Sequence, residues 1–148
     1  MNDEQIYLEK LSLRDIKPTA MRVLILRTMM REQRAVSLLD LTDLLVTVDK
    51  STVSRTLALF LSHHLIHSID DGSGALKYAV CSNECSCDVD DLHTHFYCTK
   101  CHRTLCLRGL PVPIVHLPEG FALESVNYVL KGLCPECSRH QFFGLRSK

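Results

Sequence analysis

Asp49-Lys50-Ser51-Thr52-Val53-Ser54-Arg55-Thr56-Leu57-Ala58-Leu59-Phe60-Leu61 is the stretch on which the fold turns. Val53, Leu57, Phe60 and Leu61 recur at the spacing that gathers one apolar stripe on a helix, and Asp49 or Ser51 supplies its start. Lys50, Ser51, Ser54, Arg55 and Ala58 are left on the other face. Small and polar side chains there suit a helix that enters a DNA major groove about 12 Å wide, where short donors reach base edges or phosphates. The competing reading of the same face is plain solvation.

The flanks weigh between the two readings. Downstream, residues 65–69 alternate like a strand, Asp70-Asp71-Gly72-Ser73-Gly74 is a turn, and residues 75–80 form a second strand, which together predict a hairpin. Upstream, the chain predicts three further helices. Residues 3–14 form the first, Thr19 caps a second carrying Met21, Leu24, Ile25, Thr28 and Met29, and Ser37 caps a third carrying Leu41, Leu44, Leu45 and Val48. Arg22, Arg27 and Arg31 ride the wet faces of the second. Helices followed by a hairpin make a winged helix-turn-helix, in which the hairpin contacts the DNA backbone beside the reading helix.

Further on, Cys98-Thr99-Lys100-Cys101 is answered by Cys134-Pro135-Glu136-Cys137. Two such pairs can each bite a tetrahedral zinc through two thiolates, and a four-thiolate site with no open position is structural. Zinc binding worth roughly 10–16 kcal/mol in small modules then becomes folding free energy. Rival uses of these cysteines lack their companions. Cys101-His102 completes a haem-attachment pattern, but that chemistry needs export, and the acidic opening Met1-Asn2-Asp3-Glu4 offers no signal peptide. A thioredoxin-like use wants strands alternating with helices around the second pair. A zinc deaminase wants His-x-Glu where this chain has His93-Thr94-His95. Disulfides are disfavoured in the cytoplasmic setting that the sequence suggests.

Composition adds bounds. The 148 residues are 46% hydrophobic with zero formal net charge, enough for a core but with no global field that announces nucleic acid. No apolar run approaches the roughly eighteen residues of a membrane span. Residues 81–91 break the pattern with three cysteines and no periodicity, which reads as a hinge. Strands are expected at 95–98, 103–107 and 121–130, with Pro111, Pro113 and Pro118 ruling out a long helix between them. The organisation expected is therefore α+β: a winged-helix DNA-binding domain over 1–80, a hinge over 81–91, and a small α/β zinc-stapled domain over 92–148.

With these motifs in order, the chain resembles a ferric uptake regulator family repressor. The resemblance rests on Ile16-Lys17-Pro18-Thr19-Ala20-Met21-Arg22, on Ser51-Thr52-Val53-Ser54-Arg55-Thr56-Leu57, on Tyr78 closing the wing, on His93-x-His95-Phe96-Tyr97-Cys98-x-x-Cys101, and on Gly132-Leu133-Cys134-x-x-Cys137. It implies a homodimer joined through the C-terminal domain that binds a palindromic, AT-rich operator when a sensing metal is present. Lys17 would lie near the minor groove, and Thr52, Ser54 and Arg55 would face the major groove; Lys17, Arg22, Lys50, Ser51, Thr52, Ser54 and Arg55 form the expected DNA-binding set. No small-molecule substrate, membrane or enzymatic chemistry is expected.

The chain also departs from the family. Ser54 replaces a Tyr, and His64 stands where the family has Gly. Of the sensing ligands, His93 and His95 match, whereas the hinge His falls at Ala35, the Glu after the wing at Ala79 and the acidic residue after the knuckle at Cys106. Two imidazoles with one or two thiolates from Cys81, Cys85 or Cys87 would rebuild a tetrahedral site, and soft sulfur favours Zn2+ over Fe2+ or Mn2+. The alternatives are a metal-independent or thiol-redox-responsive DNA-binding regulator, and a zinc-stapled protein-interaction module.

Overall fold

The computed structural model describes residues 2–81, 93–124 and 126–139. Hinge positions 82–91, with Cys85 and Cys87, and the tail 140–148 lie outside the described residues. Four helices open the chain: α1 (Asp3–Leu13), α2 (Ala20–Arg31), α3 (Leu38–Leu44) and α4 (Lys50–Ser62). Three of them start at side-chain caps. Thr19 Oγ1 accepts from the Arg22 amide at 3.3 Å, and Asp49 Oδ1 accepts from the Thr52 amide at 3.2 Å. At α3, Ser37 Oγ accepts from the Asp40 amide at 3.0 Å while Asp40 Oδ2 accepts from the Ser37 amide at 2.9 Å, a reciprocal capping box. The third helix stops at Leu44, short of the expected Val48, yet Leu45 and Val48 stay buried in the turn that follows.

Helices α1 and α4 end alike. Asp15 (φ 56°) and His64 (φ 58°) take the left-handed conformation, and the next residues close the six-residue bonds Ile16 N to Leu11 O at 3.0 Å and Leu65 N to Phe60 O at 2.9 Å. Both following residues, Ile16 and Leu65, are buried and pin the chain as it leaves the helix. His63 Nδ1 donates to the Arg14 carbonyl at 2.8 Å, tying the two helix ends together. Leu11, Ile25, Leu26, Leu41, Val53 and Phe60 have no exposed surface and form the common core, each worth about 1.5–3 kcal/mol by burial.

Strands β1 (Val36–Ser37), β2 (Ile66–Ile69) and β3 (Lys77–Val80) make an antiparallel sheet in the order β1-β3-β2, so the expected hairpin gains an unanticipated third strand. A second sheet contains β4 (His93–Cys98), β5 (Thr104–Pro111) and β6 (Val129–Gly132) in the order β5-β4-β6. Strands β4 and β5 are antiparallel, and β6 runs parallel to β4. The strand expected over 121–130 is thus displaced. Phe121 and Leu123 are exposed in irregular chain, and pairing begins only at Val129. The register explains the shift: Gly132 lies opposite Cys98, and its carbonyl accepts from the Thr99 amide at 2.8 Å, which delivers Cys134 to the first cysteine pair.

The class is α+β, with four helices and a small sheet followed by a second sheet. The two parts touch through a polar seam. The Ala35 amide donates to Thr104 O at 2.8 Å, and Arg108 Nη2 donates to Val80 O at 2.8 Å. In the turn between β2 and β3, the buried Asp71 Oδ2 accepts from Lys77 Nζ and from Thr104 Oγ1, each at 2.6 Å. No described helix is long and apolar enough to cross a membrane.

Candidate metal centres and nucleic-acid interface

The turn after β4 and the helical turn at 135–139 bring Cys98, Cys101, Cys134 and Cys137 together, with all four sulfurs within 4.8 Å of one another. Cys98 and Cys134 have no exposed surface, Cys137 is nearly buried, and Cys101 faces solvent. Donors surround the sulfurs. The Cys134 amide donates to Cys98 Sγ at 3.4 Å, and Arg103 donates from Nε to Cys101 Sγ at 3.4 Å and from Nη2 to Cys134 Sγ at 3.5 Å. Amide donation from Cys101 and Cys134 pulls Cys98 down to about 5, and amide donation from Cys137 also lowers Cys134. Burial, with the neighbouring sulfurs, pushes Cys137 up to about 12. Four converging sulfurs, two of them biased toward thiolate, fit a tetrahedral soft cation.

A second cluster lies where the polar seam crosses between the sheets. His93 and His95 stand two residues apart on β4 and so share a face. Cys106 on β5 is the direct cross-strand partner of His95, which puts it on the same face. His67 reaches in from β2. Its Nε2 lies 3.2 Å from His95 Nε2 and 3.8 Å from Cys106 Sγ, and one ligand atom from each of the four residues lies within 4.8 Å of the others. The imidazole centroids are 4.6–5.3 Å apart.

The electrostatics suit metal ligation. Burial, then His95, His93 and Arg108, brings His67 down to about 3. Burial, then His93, brings His95 down to about 4. Both rings are therefore neutral near neutral pH, with lone pairs to offer. Burial outweighs the nearby Arg108 and pushes Cys106 up to about 11, so its thiol would ionise only on meeting a cation. Three nitrogens and one sulfur are a donor set that zinc accepts.

His93 and His95 lie together, and among the described residues the sulfur grouped with them is that of Cys106. Cys81 sits one step out, its Sγ 3.3 Å from His67 Nδ1, on the ring nitrogen facing away from His95 and Cys106. A partner on the second nitrogen fixes the ring's orientation and tautomer. Cys85 and Cys87 lie outside the described residues. Sequence reasoning missed His67 and passed over Cys106. The available signals were His67 in mid-strand and a thiol at the position where the resembled family carries an acid. A cavity of about 400 Å³, lined in part by Ala35, Val80, Cys81, Cys106 and Arg108, borders the cluster at Cys106.

On the helical side, Lys50, Ser51, Ser54 and Arg55 are exposed along one flank of α4, and the half-buried Thr52 sits beside them. Thr52 is partly committed: its hydroxyl donates to Asp49 Oδ1 at 2.7 Å and lies 3.5 Å from Arg55 Nη2. Ser51 Oγ also donates to Asp49, at 2.9 Å. Donation from Thr52 and Ser51 lowers the Asp49 carboxyl below its ordinary range, so the cap keeps its charge. Lys17 and Arg22 meet at the mouth of α2, where Arg22 Nη1 donates to Lys17 O at 2.7 Å.

Solved structures share this fold. A zinc uptake regulator complexed with zinc and DNA superposes with a TM-score of 0.70 at 22% identity, covering 96% of this chain and 99% of that one. The ferric uptake regulator of Vibrio cholerae gives 0.58 at 16% identity, over 86% of this chain and 98% of that one. That of Helicobacter pylori, described with three functional metal binding sites, gives 0.58 at 16% identity, over 93% of this chain and 95% of that one. No family model matches the chain, and no curated protein matches its sequence. The chain has the fold of the zinc and ferric uptake regulators.

Proposed function

We propose that this chain is a metal-responsive DNA-binding transcriptional repressor of the ferric uptake regulator type, in its zinc-sensing branch. The observation that carries the proposal is the cluster of His67, His93, His95 and Cys106, whose ligands come from the wing strand β2 and from β4 and β5 of the second sheet. A cation there ties the DNA-reading unit to the second sheet, so occupancy and the position of α4 become linked quantities. His67, His95 and Cys106, with His93 at hand, would hold it, and Cys81 would orient the His67 ring. Zn2+ is favoured over Fe2+ or Mn2+ because a thiol joins the imidazoles.

In this reading residues 1–80 are the winged-helix DNA-binding domain, 81–91 the hinge and 92–148 the dimerisation domain. Cys98, Cys101, Cys134 and Cys137 hold a structural zinc that stays in place whether or not the sensing site is filled. Lys50, Ser51, Ser54 and Arg55 on α4 face the major groove, with Thr52 at its edge and Lys17 and Arg22 on the flanking backbone. The protein works as a homodimer on a palindromic operator in the cytoplasm. It has the fold of regulators, and we assign it no catalytic role. At Cys106 itself a thiol-redox signal is disfavoured, because the burial that raises its thiol leaves little thiolate there to react.

The test is metal content against DNA affinity. Purified protein should bind two zinc equivalents per subunit, one of which a mild chelator removes, and operator affinity measured by fluorescence anisotropy should fall with its loss. The variant carrying His67→Gln and Cys106→Ser should keep one equivalent and bind DNA weakly at any zinc level. DNA affinity that ignores the second equivalent would instead favour the metal-independent regulator.

A further inference from the structure

The reading of the four cysteines as a zinc site leaves Arg103 unexplained. A divalent zinc with four thiolates carries a net double negative charge, and three of the four sulfurs here are nearly or wholly buried. Cys101 is the exposed one. The Arg103 guanidinium spans the site, with Nε on Cys101 of the first pair and Nη2 on Cys134 of the second. It is itself held: Nη2 donates to Glu136 Oε2 at 2.9 Å, and Glu136 lies inside the second cysteine pair. Local backbone sets this up. His102 takes a left-handed φ of 62°, braced by its Nδ1 against the Tyr97 hydroxyl at 2.9 Å, and so turns the chain into Arg103 and β5.

We infer that Arg103, oriented by Glu136, is a positioning residue that guards this zinc: it shields the exposed Cys101 and the neighbouring Cys134 and sets how slowly electrophiles open the site. The physical basis is charge and donation. N–H groups aimed at a metal-bound sulfur withdraw electron density from its lone pairs, and a fixed cation offsets the site's negative charge, so the sulfur attacks carbon or peroxide oxygen less readily. Covering one sulfur from each pair also keeps the two halves of the site together when one bond to the metal loosens. Cys98, Cys134 and Cys137 are screened by burial, Cys134 by the guanidinium as well; Cys101 has the guanidinium in place of burial. It is therefore the sulfur at which attack begins.

The inference rests on the structural-zinc reading, and the experiment separates the two. Full-length protein, chelated to one zinc per subunit, is treated with N-ethylmaleimide while released zinc is followed with a colorimetric chelator. Each event adds one sulfur across the maleimide double bond, the adjacent carbon takes a proton from water, and one zinc–sulfur bond is lost. Arg103→Gln should release zinc about tenfold faster than the parent, the low end of outer-shell effects on metal sites. Arg103→Lys, which keeps the charge but not the two-sulfur reach, and Glu136→Gln should fall between. Peptide mapping should find the first adduct among the four at Cys101. Equal release rates across the set, or a first adduct elsewhere among the four, overturns the inference. A parent protein with no zinc on these cysteines overturns the underlying reading instead. If Arg103→Gln does not fold, the Glu136→Gln rate decides in the same two directions.

Discussion

His67 on the wing strand and His95 on the first strand of the second sheet hold their Nε2 atoms 3.2 Å apart, although 28 residues separate them in the chain. At that distance one nitrogen is a donor and the other an acceptor, or both serve a common cation. Burial, then His95, His93 and Arg108, keeps His67 near 3, and burial, then His93, keeps His95 near 4, against an ordinary 6.5. In the unfolded chain both rings bind protons from about 6.5 downward, and in the folded chain they resist. The metal-free protein should therefore hold its full stability above about pH 6.5 and lose it steadily as the pH falls toward 4. Urea midpoints at several pH values between 7.5 and 4.5 measure this, and a midpoint that rose on acidification would refute it.

Replacing His67 alone should uncouple metal from DNA. His67→Gln removes the only ligand that the wing contributes to the cluster among the described residues. Zinc at this site should weaken by tenfold or more, while the four-cysteine zinc is untouched. Calorimetric titration of the chelated protein would report it; unchanged affinity would mean that β4 and β5 hold the cation by themselves.

The buried pair of Asp71 and Lys77 predicts a stability effect. Burial alone would raise the Asp71 carboxyl, but donation from Lys77, Ser73 and Thr104 overrides it and keeps the group ionised. Asp71→Ala leaves the Lys77 ammonium buried without its carboxylate and frees Thr104 from the turn. The expected cost is about 3–5 kcal/mol, read from urea denaturation. A loss below 1 kcal/mol would show that water replaces the carboxylate there.

His64 predicts the opposite sign. An L-residue in the left-handed region is strained by about 1–2 kcal/mol, of which glycine gives back part through its larger unfolded-state entropy. His64→Gly should raise stability by about 0.5–1 kcal/mol without changing DNA affinity. A destabilised variant would mean that the imidazole makes contacts worth more than the strain.

In the proposed reading, Arg55 is an exposed cation on the groove-facing flank of α4, where a phosphate is one partner within its reach. Arg55→Ala should weaken binding to operator and unrelated DNA alike and lower the slope of log affinity against log salt by about 1. A loss confined to operator sequences would assign Arg55 to a base edge instead.

What was legible before the fold was known follows from the range of the interactions involved. Thr19, Ser37 and Asp49 announce helix starts because a cap joins residues three apart. The hairpin shows in local alternation and its Asp-Gly turn, and the four cysteines show because their spacing is itself the ligand geometry. Strand β6 was misplaced because alternation continues through 121–128, whereas pairing is set by where Gly132 must lie against Cys98. β1 is two residues long, too short for any pattern to register.

The sequence by itself determined the helical core, the wing and the convergence of Cys98, Cys101, Cys134 and Cys137, all encoded in periodicity, caps and short motifs. Only the tertiary structure decided that His67 and Cys106 join His93 and His95, while Cys81 stands behind His67. That choice depends on how a wing strand leans on a second sheet, through Ala35 with Thr104 and Asp71 with Thr104 and Lys77. Each of those contacts with Thr104 spans more than thirty residues, and its geometry exists only once both parts have folded.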